Sequence, residues 1–139
     1  MGFEKNGAAL LLKMRAEGTQ FGRVLTVGRQ NIHMDWDDYR QVLARIGCPF
    51  SNDVPEYADA LFLSMGACST EAMDYSNYEG ATRVHDLNHP IPPEWHEKFD
   101  TVFDGGSLEH VFNFPVAIAN CMQLLARDRK STRLNSSHQ

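Results

Sequence analysis

The sequence predicts an α/β domain built on an open parallel sheet with helices on its faces. Short runs rich in β-branched residues alternate with amphipathic segments of helical periodicity, which is typical of parallel strands joined by crossover helices. In addition, each of the four strand-like runs is followed closely by a glycine or an aspartate. Such a repeated pattern at the strand ends favours a ligand-binding sheet over a purely structural one.

The helical segments place apolar residues at helical spacing between polar ones. Residues Phe3 to Glu17 predict an amphipathic helix that ends at Gly18, and Asp35 to Ile46 predict a second with acidic residues in its first turn. Residues 58–65 predict a further crossover segment. A last helix is predicted from Pro115, with proline near its start. Its apolar residues are Val116, Ile118, Ala119, Met122, Leu124 and Leu125.

Four short segments predict the strands. Residues 23–27 form a β-rich run that stops at Gly28, as a buried strand does. Residues 71–74, 81–85 and 101–103 predict the next three strands, and turn-prone, proline-rich or glycine-rich residues follow them. No internal repeat or linker interrupts this alternation, so we expect one domain.

Composition places the chain among ordinary globular domains. It has 139 residues, of which 42% are hydrophobic and 22% charged, with a formal net charge of -5. The longest uninterrupted apolar run, Ala8 to Leu12, is far shorter than the roughly 20 residues that span a bilayer. The chain also lacks a signal-peptide layout and a Lys/Arg cluster in its body. We therefore expect a cytoplasmic protein with no membrane partner and no general nucleic-acid binding, its three cysteines reduced and buried.

The last stretch of the chain differs in character from the rest. Residues Asp128 to His138 follow an apolar helical pattern and are abruptly polar, without periodicity. This stretch resembles the in-frame translation of a common sequencing-library adapter. We therefore expect residues 1–127 to be the natural part and residues 128–139 to be a non-native polar tail. The natural part is then more acidic than the whole chain, because the tail holds three basic residues and one acid.

The predicted strand ends carry four candidate ligand-binding residues: Gly28, Asp74, Asp86 and Asp104. In an open parallel sheet, ligands bind outside the carboxyl ends of the strands, where helix N-termini also point their dipoles. A single aspartate after a strand is more often a helix cap or a turn former, and a single glycine often serves the backbone alone. The prediction of a ligand site therefore depends on the repetition.

The segment Phe99 to Val111 carries the most specific motif. Its sequence FDTVFDGGSLEHV resembles the fourth-strand motif of class I S-adenosylmethionine-dependent methyltransferases, in which a strand runs into an "slEHv" helix start. Weaker matches occur at the ends of the first three strands, at Val24–Gly28, Met73–Ser76 and His85–Asn88. The resemblance implies a Rossmann-like sheet of seven strands, of which this chain supplies about four. The fourth strand would then have an unpaired edge.

The resemblance implies that six residues bind the cofactor S-adenosyl-L-methionine: Gly28, Asp74, Asp86, Leu87, Asp104 and Gly105. Asp74 would accept hydrogen bonds from both ribose hydroxyls. Asp86, with Leu87 beside it, would meet the amino group and ring face of the adenine. Gly28 would let the backbone approach the methionine part of the cofactor, and the Asp104–Gly105 pair would lie beside that part.

The resemblance also implies candidate catalytic residues. Methyl transfer from a sulfonium is an in-line displacement, so the protein supplies proximity and alignment, and a base where the acceptor must lose a proton. Glu109 and His110 are the acid–base pair at this end of the sheet. The alternative is that His110 packs against the helix start and caps it. The acceptor would be a small molecule or another unknown molecule, and the truncated chain itself would be inactive.

The glycine loop departs from the family's pattern. The family usually has an acid and several glycines there, whereas the segment Thr26 to Gln30 has one glycine, Gly28, followed by the bulky cation Arg29. Arg29 either forms a salt bridge with the cofactor carboxylate or blocks the site. A second hypothesis is therefore a non-catalytic, Rossmann-like binding scaffold with a degenerate glycine loop.

The sequence gives less support to other functions, such as a metal site, a dehydrogenase or a hydrolase. His85, Asp86, His89 and His96 are potential metal ligands, but nearby prolines exclude the helix that would align His85 with His89, so we predict no metal site. A nicotinamide-dependent dehydrogenase also ends its second strand in an acid, but the G-x-G-x-x-G motif is absent. Hydrolase and nucleoside-triphosphatase motifs are absent as well.

Overall fold

The computed structural model describes residues 2–49 and 53–126, and the backbone alone of residues 133–135. The strands are β1 (Gly2–Phe3), β2 (Arg23–Val27), β3 (Asn31–Ile32), β4 (Ser69–Asp74), β5 (Arg83–Val84), β6 (Thr101–Asp104) and β7 (Arg133–Asn135). The helices are α1 (Lys5–Ala16), α2 (Trp36–Arg45), α3 (Asp59–Ser64) and α4 (Phe114–Leu124). The predicted helices and strands are all present. Among these residues, each helix is too short or too polar to traverse a lipid bilayer.

The main sheet is parallel throughout, in the order β5-β4-β2-β6-β7. The chain moves outward from β2 through β4 to β5, and then returns to the other side of β2 as β6. This is the predicted α/β, Rossmann-like arrangement. The strand order reverses between β2 and β6, and open sheets of this kind bind ligands in the crevice at such a reversal.

The outer edge of β6 is paired, so the expectation of an unpaired edge is wrong. Residues Arg133–Asn135 lie parallel to Val102–Asp104 and continue the sheet as β7. Pairing of this kind uses backbone N–H and C=O groups that almost every residue carries, so it is open to a tail of almost any composition. The other residues of the predicted tail, 128–132 and 136–139, lie outside the described residues.

Both faces of the sheet are covered by helices. Val24 and Phe103 belong to a buried cluster formed with α1, α2 and α3, in which the rings of Phe62 and Phe103 lie 5.5 Å apart. Leu25 and Val102 belong to a second buried cluster, formed with α4. Because successive side chains of a strand point to opposite faces, a strand that is buried on both faces needs a continuous apolar run. The central strands β2 and β6 meet this need with the consecutive buried apolar pairs Val24–Leu25 and Val102–Phe103.

The buried face of α4 differs from the predicted one. Ala117, Asn120, Cys121 and Leu124 are buried there, whereas Ala119 and Met122, both predicted on the apolar face, are exposed. A short helix that is apolar on most sides offers several possible faces, and contact with the sheet decides between them. A polar side chain, Asn120, therefore lies in the core.

The three cysteines are free thiols with different exposures. Cys121 is buried, as expected, and Cys48 is half-buried. Cys68 is exposed, so the expectation that all three are buried is wrong for this residue. It lies in the segment that leads from α3 into β4.

Candidate functional site

Two cavities of similar size open at opposite ends of the sheet. The carboxyl-edge cavity, of about 580 Å³, is lined by Val27, Gly28, Met73, Asp74, Tyr75, His85, Asp86, Leu87, Asn88, Ser107, His110 and Val111. The amino-edge cavity, of about 620 Å³, is lined by Arg15, Gly18, Thr19, Gln20, Phe21, Gly22, Met65, Gly66, Cys68 and Asp100. Volume does not distinguish them, but open parallel sheets bind ligands at the carboxyl ends of their strands. The carboxyl-edge cavity is therefore the candidate site.

Five of the predicted site residues line this cavity together: Gly28, Asp74, Asp86, Leu87 and His110. The register of the sheet explains why they meet. Val27 at the end of β2 lies beside Met73, and Asp74 at the end of β4 lies beside Val84 in β5. Residues that follow these three strands therefore reach the same edge.

Asp74 is the half-buried carboxylate at the end of β4. Its Oδ1 accepts a hydrogen bond from the backbone N–H of Tyr75 at a distance of 2.8 Å. A carboxylate offers about four acceptor positions, so this bond leaves capacity for donors supplied by a ligand. The position and chemistry of Asp74 suit recognition of a pair of hydroxyl groups.

Asp86 lies on the loop after β5 and is exposed at the cavity. Its Oδ1 accepts from the backbone N–H of Asn88 at 3.0 Å and from the side-chain amide of Asn88 at 2.9 Å. Both bonds hold the pKa of Asp86 below its ordinary value because they stabilise the charged carboxylate. The bond from the backbone of Asn88 has the larger effect. Asp86 is therefore an ionised acceptor at neutral pH.

Gly28 forms the turn at the end of β2. Its backbone N–H donates to the carbonyl oxygen of Met73 at 2.7 Å, and its φ of 75° lies in the left-handed region. Glycine adopts this conformation without the steric penalty that a side chain brings. The turn therefore brings bare backbone to the cavity wall.

Arg29 points away from the cavity. Its Nη1 donates to the carbonyl oxygen of Glu79 at 2.8 Å, and its Nε lies 3.6 Å from Oδ1 of Asp59. The guanidinium also lies over the ring of Tyr57, 3.7 Å from the ring centre. In this structure Arg29 thus neither blocks the cavity nor points its charge into it.

Gln30 fills the space between the ends of β2 and β6. Its side chain is buried, and its Nε2 donates to the carbonyl oxygen of Gly28 at 3.0 Å and to that of Val27 at 3.4 Å. A Cβ added to Gly105 would collide with the Gln30 amide. The side chain of Gln30 therefore lies in the crevice where the strand order reverses.

Asp104 and Gly105 lie outside the lining of the carboxyl-edge cavity. Asp104 is fully buried, and its Oδ1 accepts from the backbone N–H groups of Gly106 at 3.0 Å and Ser107 at 2.7 Å. A longer bond, of 3.4 Å, comes from Leu108. Asp104 therefore shapes the turn that carries Ser107 to the cavity, and Gly105 packs against Gln30.

Glu109 and His110 lie on a 3-10 turn, Leu108–His110, and α4 begins only at Phe114. Oε1 of Glu109 is 3.6 Å from Nε2 of His110, whose side chain is 78% exposed. This exposure disfavours the alternative that His110 packs against the helix start. His110 lines the cavity and Glu109 does not, so His110 is the better placed of the two candidate bases.

Several lining residues were not predicted from the sequence. Asn88 follows Asp86 by two residues, a spacing typical of aspartate-centred turns, and this signal makes it recognisable in retrospect. Ser107 donates its hydroxyl to the carbonyl oxygen of Val27 at 2.9 Å, a contact across 80 residues that no local pattern reveals. In the described ranges, no group of three His, Cys, Asp or Glu side chains is arranged to hold a metal ion.

The fold and the cavity together define a class: an α/β protein with a Rossmann-like parallel sheet and a cavity at the carboxyl edge of that sheet. No protein-family model matches the chain, and no curated protein matches it. The residues of the cavity are therefore the features that bear on the function.

Proposed function

We propose that the carboxyl-edge cavity binds S-adenosyl-L-methionine and that the protein transfers its methyl group to an acceptor. One observation carries the proposal: an acid ending β4, Asp74, shares a cavity with the acid and apolar residue after β5, Asp86 and Leu87. Asp74 is suited to the two ribose hydroxyls, and Asp86 with Leu87 to the amino group and ring of adenine.

The cavity suits the adenosyl half of this cofactor. Its volume of about 580 Å³ lies within the range of small-molecule sites. Asp74, Asp86 and Gly28 come from three adjacent strand ends, which matches an extended nucleoside lying across the edge of the sheet. The methionine half must be accommodated beside Gln30, which occupies the crevice between β2 and β6.

Within this proposal, the protein's own residues align the reactants. When bound, the cofactor supplies an electrophilic methyl group on sulfur. The acceptor approaches through the open side of the cavity, where His110 is exposed. His110 would take a proton from the acceptor, and its position is supported by the carboxylate of Glu109, which lies 3.6 Å from its ring nitrogen.

The buried Gln30 favours a second candidate, a non-catalytic scaffold that binds only a nucleoside. Its side chain is bonded to the carbonyl oxygens of Val27 and Gly28, so admitting a longer ligand between β2 and β6 requires breaking those bonds. In this case the ribose and base would bind as above, and no methyl group would be positioned for transfer.

Calorimetric titration of the chain with S-adenosylhomocysteine and with adenosine separates the two candidates. All residues that line the cavity lie between 27 and 111, so the chain itself is a suitable sample. We expect S-adenosylhomocysteine to bind below about 1 mM, and at least roughly tenfold more tightly than adenosine, because the amino-acid part adds contacts. Equal affinities would favour the scaffold. Absence of binding by either ligand would contradict both candidates.

A further inference from the structure

A buried asparagine connects α4 to the loop that carries the proposed adenine contacts. Asn120 is 1% exposed and lies on the sheet-facing side of α4. Its Oδ1 accepts from the backbone N–H of Ile91 at 3.0 Å, and its Nδ2 donates to the carbonyl oxygen of His89 at 2.9 Å. A further bond of 3.4 Å reaches the carbonyl oxygen of Leu87. The side chain thus holds backbone groups across residues 87–91.

The environment makes these bonds consequential. The neighbours of Asn120 on its face of α4 are Ala117, Cys121 and Leu124, all buried, so an apolar side chain would be the ordinary occupant of the position. A buried amide is costly unless it is hydrogen-bonded, and here both ends of the amide are bonded to one loop. The loop is consequently tied to the helix at a defined position.

A second asparagine attaches the same loop to the start of α4. Asn88 donates its side-chain amide to Oδ1 of Asp86 at 2.9 Å, and its own Oδ1 accepts from the backbone N–H of Asn113 at 2.8 Å. Asn113 immediately precedes α4. The side chain of Asn88 therefore links the carboxylate of Asp86 to the backbone at the start of α4.

We propose that Asn120 is a positioning residue for base recognition and that Asn88, which attaches the same loop to the start of α4, has the same role. Asn120 does not line the cavity, and it acts by holding the loop so that Asp86 and Leu87 meet the base in one fixed geometry. The inference rests on the proposed function, since it concerns the adenine of the proposed cofactor.

If the carboxylate of Asp86 is held in one position, it should both raise the affinity for adenine and discriminate against other purine bases. Adenine presents an amino group at the position where hypoxanthine presents a carbonyl oxygen. An ionised Asp86 accepts from the amino group and is repelled by the carbonyl oxygen, and a rigid site cannot relieve that mismatch. If the loop is released, the carboxylate can turn towards water and the discrimination falls.

The test measures the ratio of the affinities for two ligands that differ only in the base. Dissociation constants of S-adenosylhomocysteine and its inosine counterpart are determined by calorimetry for the parent chain and for Asn120→Ala. We expect the parent to prefer the adenosine form by about tenfold or more, and Asn120→Ala to prefer it by about twofold or less. A merely structural role would weaken both ligands equally and leave the ratio unchanged.

Two further variants keep the test decisive. Asn88→Ala changes a half-buried surface residue and is expected to fold even if Asn120→Ala does not; we expect it to lower the preference about threefold. Asn77→Ala, an exposed asparagine outside the cavity lining, is the matched control and should keep the parental ratio.

The outcomes separate this inference from the proposed function. A parent chain that binds neither ligand contradicts the proposed function. A parent chain that binds both ligands equally overturns the inference and leaves cofactor binding intact. An undiminished preference in Asn88→Ala and in every folded Asn120 variant also overturns the inference.

Discussion

Replacing Asp74 with alanine is expected to weaken S-adenosylhomocysteine binding by about 1.5 to 3 kcal/mol, or roughly 10- to 150-fold. The carboxylate ends β4 at the wall of the carboxyl-edge cavity, and one of its oxygens is already oriented by the backbone N–H of Tyr75. The proposed ribose hydroxyls are two donors to a charged acceptor in a half-buried position, which is a strong class of hydrogen bond. Calorimetry measures the loss directly.

Two controls show whether the loss at Asp74 reflects the ribose contact. Asp74→Asn keeps the size and one acceptor oxygen, so its loss should be smaller than that of alanine. Asp37→Ala removes one exposed negative charge on α2, outside the lining of the cavity, and should leave the affinity within about twofold. An affinity in Asp74→Ala equal to that of the parent would remove Asp74 from the site.

Replacing Asp104 with alanine is expected to lower the free energy of unfolding by about 3 to 5 kcal/mol, because the loss leaves buried backbone donors without their acceptor. The carboxylate is fully buried and accepts from the backbone N–H groups of Gly106 and Ser107 at 3.0 and 2.7 Å. Those bonds fix the turn between β6 and the cavity wall. Urea denaturation followed by circular dichroism measures the change.

Asp86→Ala is the matched control, since it removes an exposed aspartate that follows a different strand of the same sheet, β5. Its expected cost in unfolding free energy is below about 1 kcal/mol. Asp104→Asn retains one acceptor oxygen in the same shape and should fall between the two alanine variants. A cost for Asp104→Ala as small as that for Asp86→Ala would contradict the assigned role.

The four helices and the strands β2, β4, β5 and β6 were predictable because each depends on a local pattern. The apolar run of β2, for example, reports burial on both faces of a parallel sheet. The two-residue strands β1 and β3 were not predicted, since a segment so short carries no periodicity. The buried face of α4 was predicted only in part, because its contact with the sheet, and not its own sequence, selects that face.

The candidate site was predictable to the level of strand ends. Asp74, Asp86 and Asp104 look alike in sequence, each an aspartate at or soon after a strand, yet two line the cavity and the third is buried beneath its own turn. The difference lies in the backbone N–H groups that follow Asp104, which local patterns do not resolve. Asn120 was missed for another reason: its partners lie about 30 residues earlier in the chain.

The central claim is that the carboxyl-edge cavity, and not the similar amino-edge cavity, is the binding site. Titrating the nitrogen-15-labelled chain with S-adenosylhomocysteine and mapping the amide chemical shifts tests it most directly. The largest shifts should fall at Gly28, Asp74, Asp86 and Ser107, which line the carboxyl-edge cavity. Shifts concentrated at Gly18 to Gly22 and Cys68 of the amino-edge cavity, or no shifts at a ligand concentration of several times about 1 mM, would contradict it.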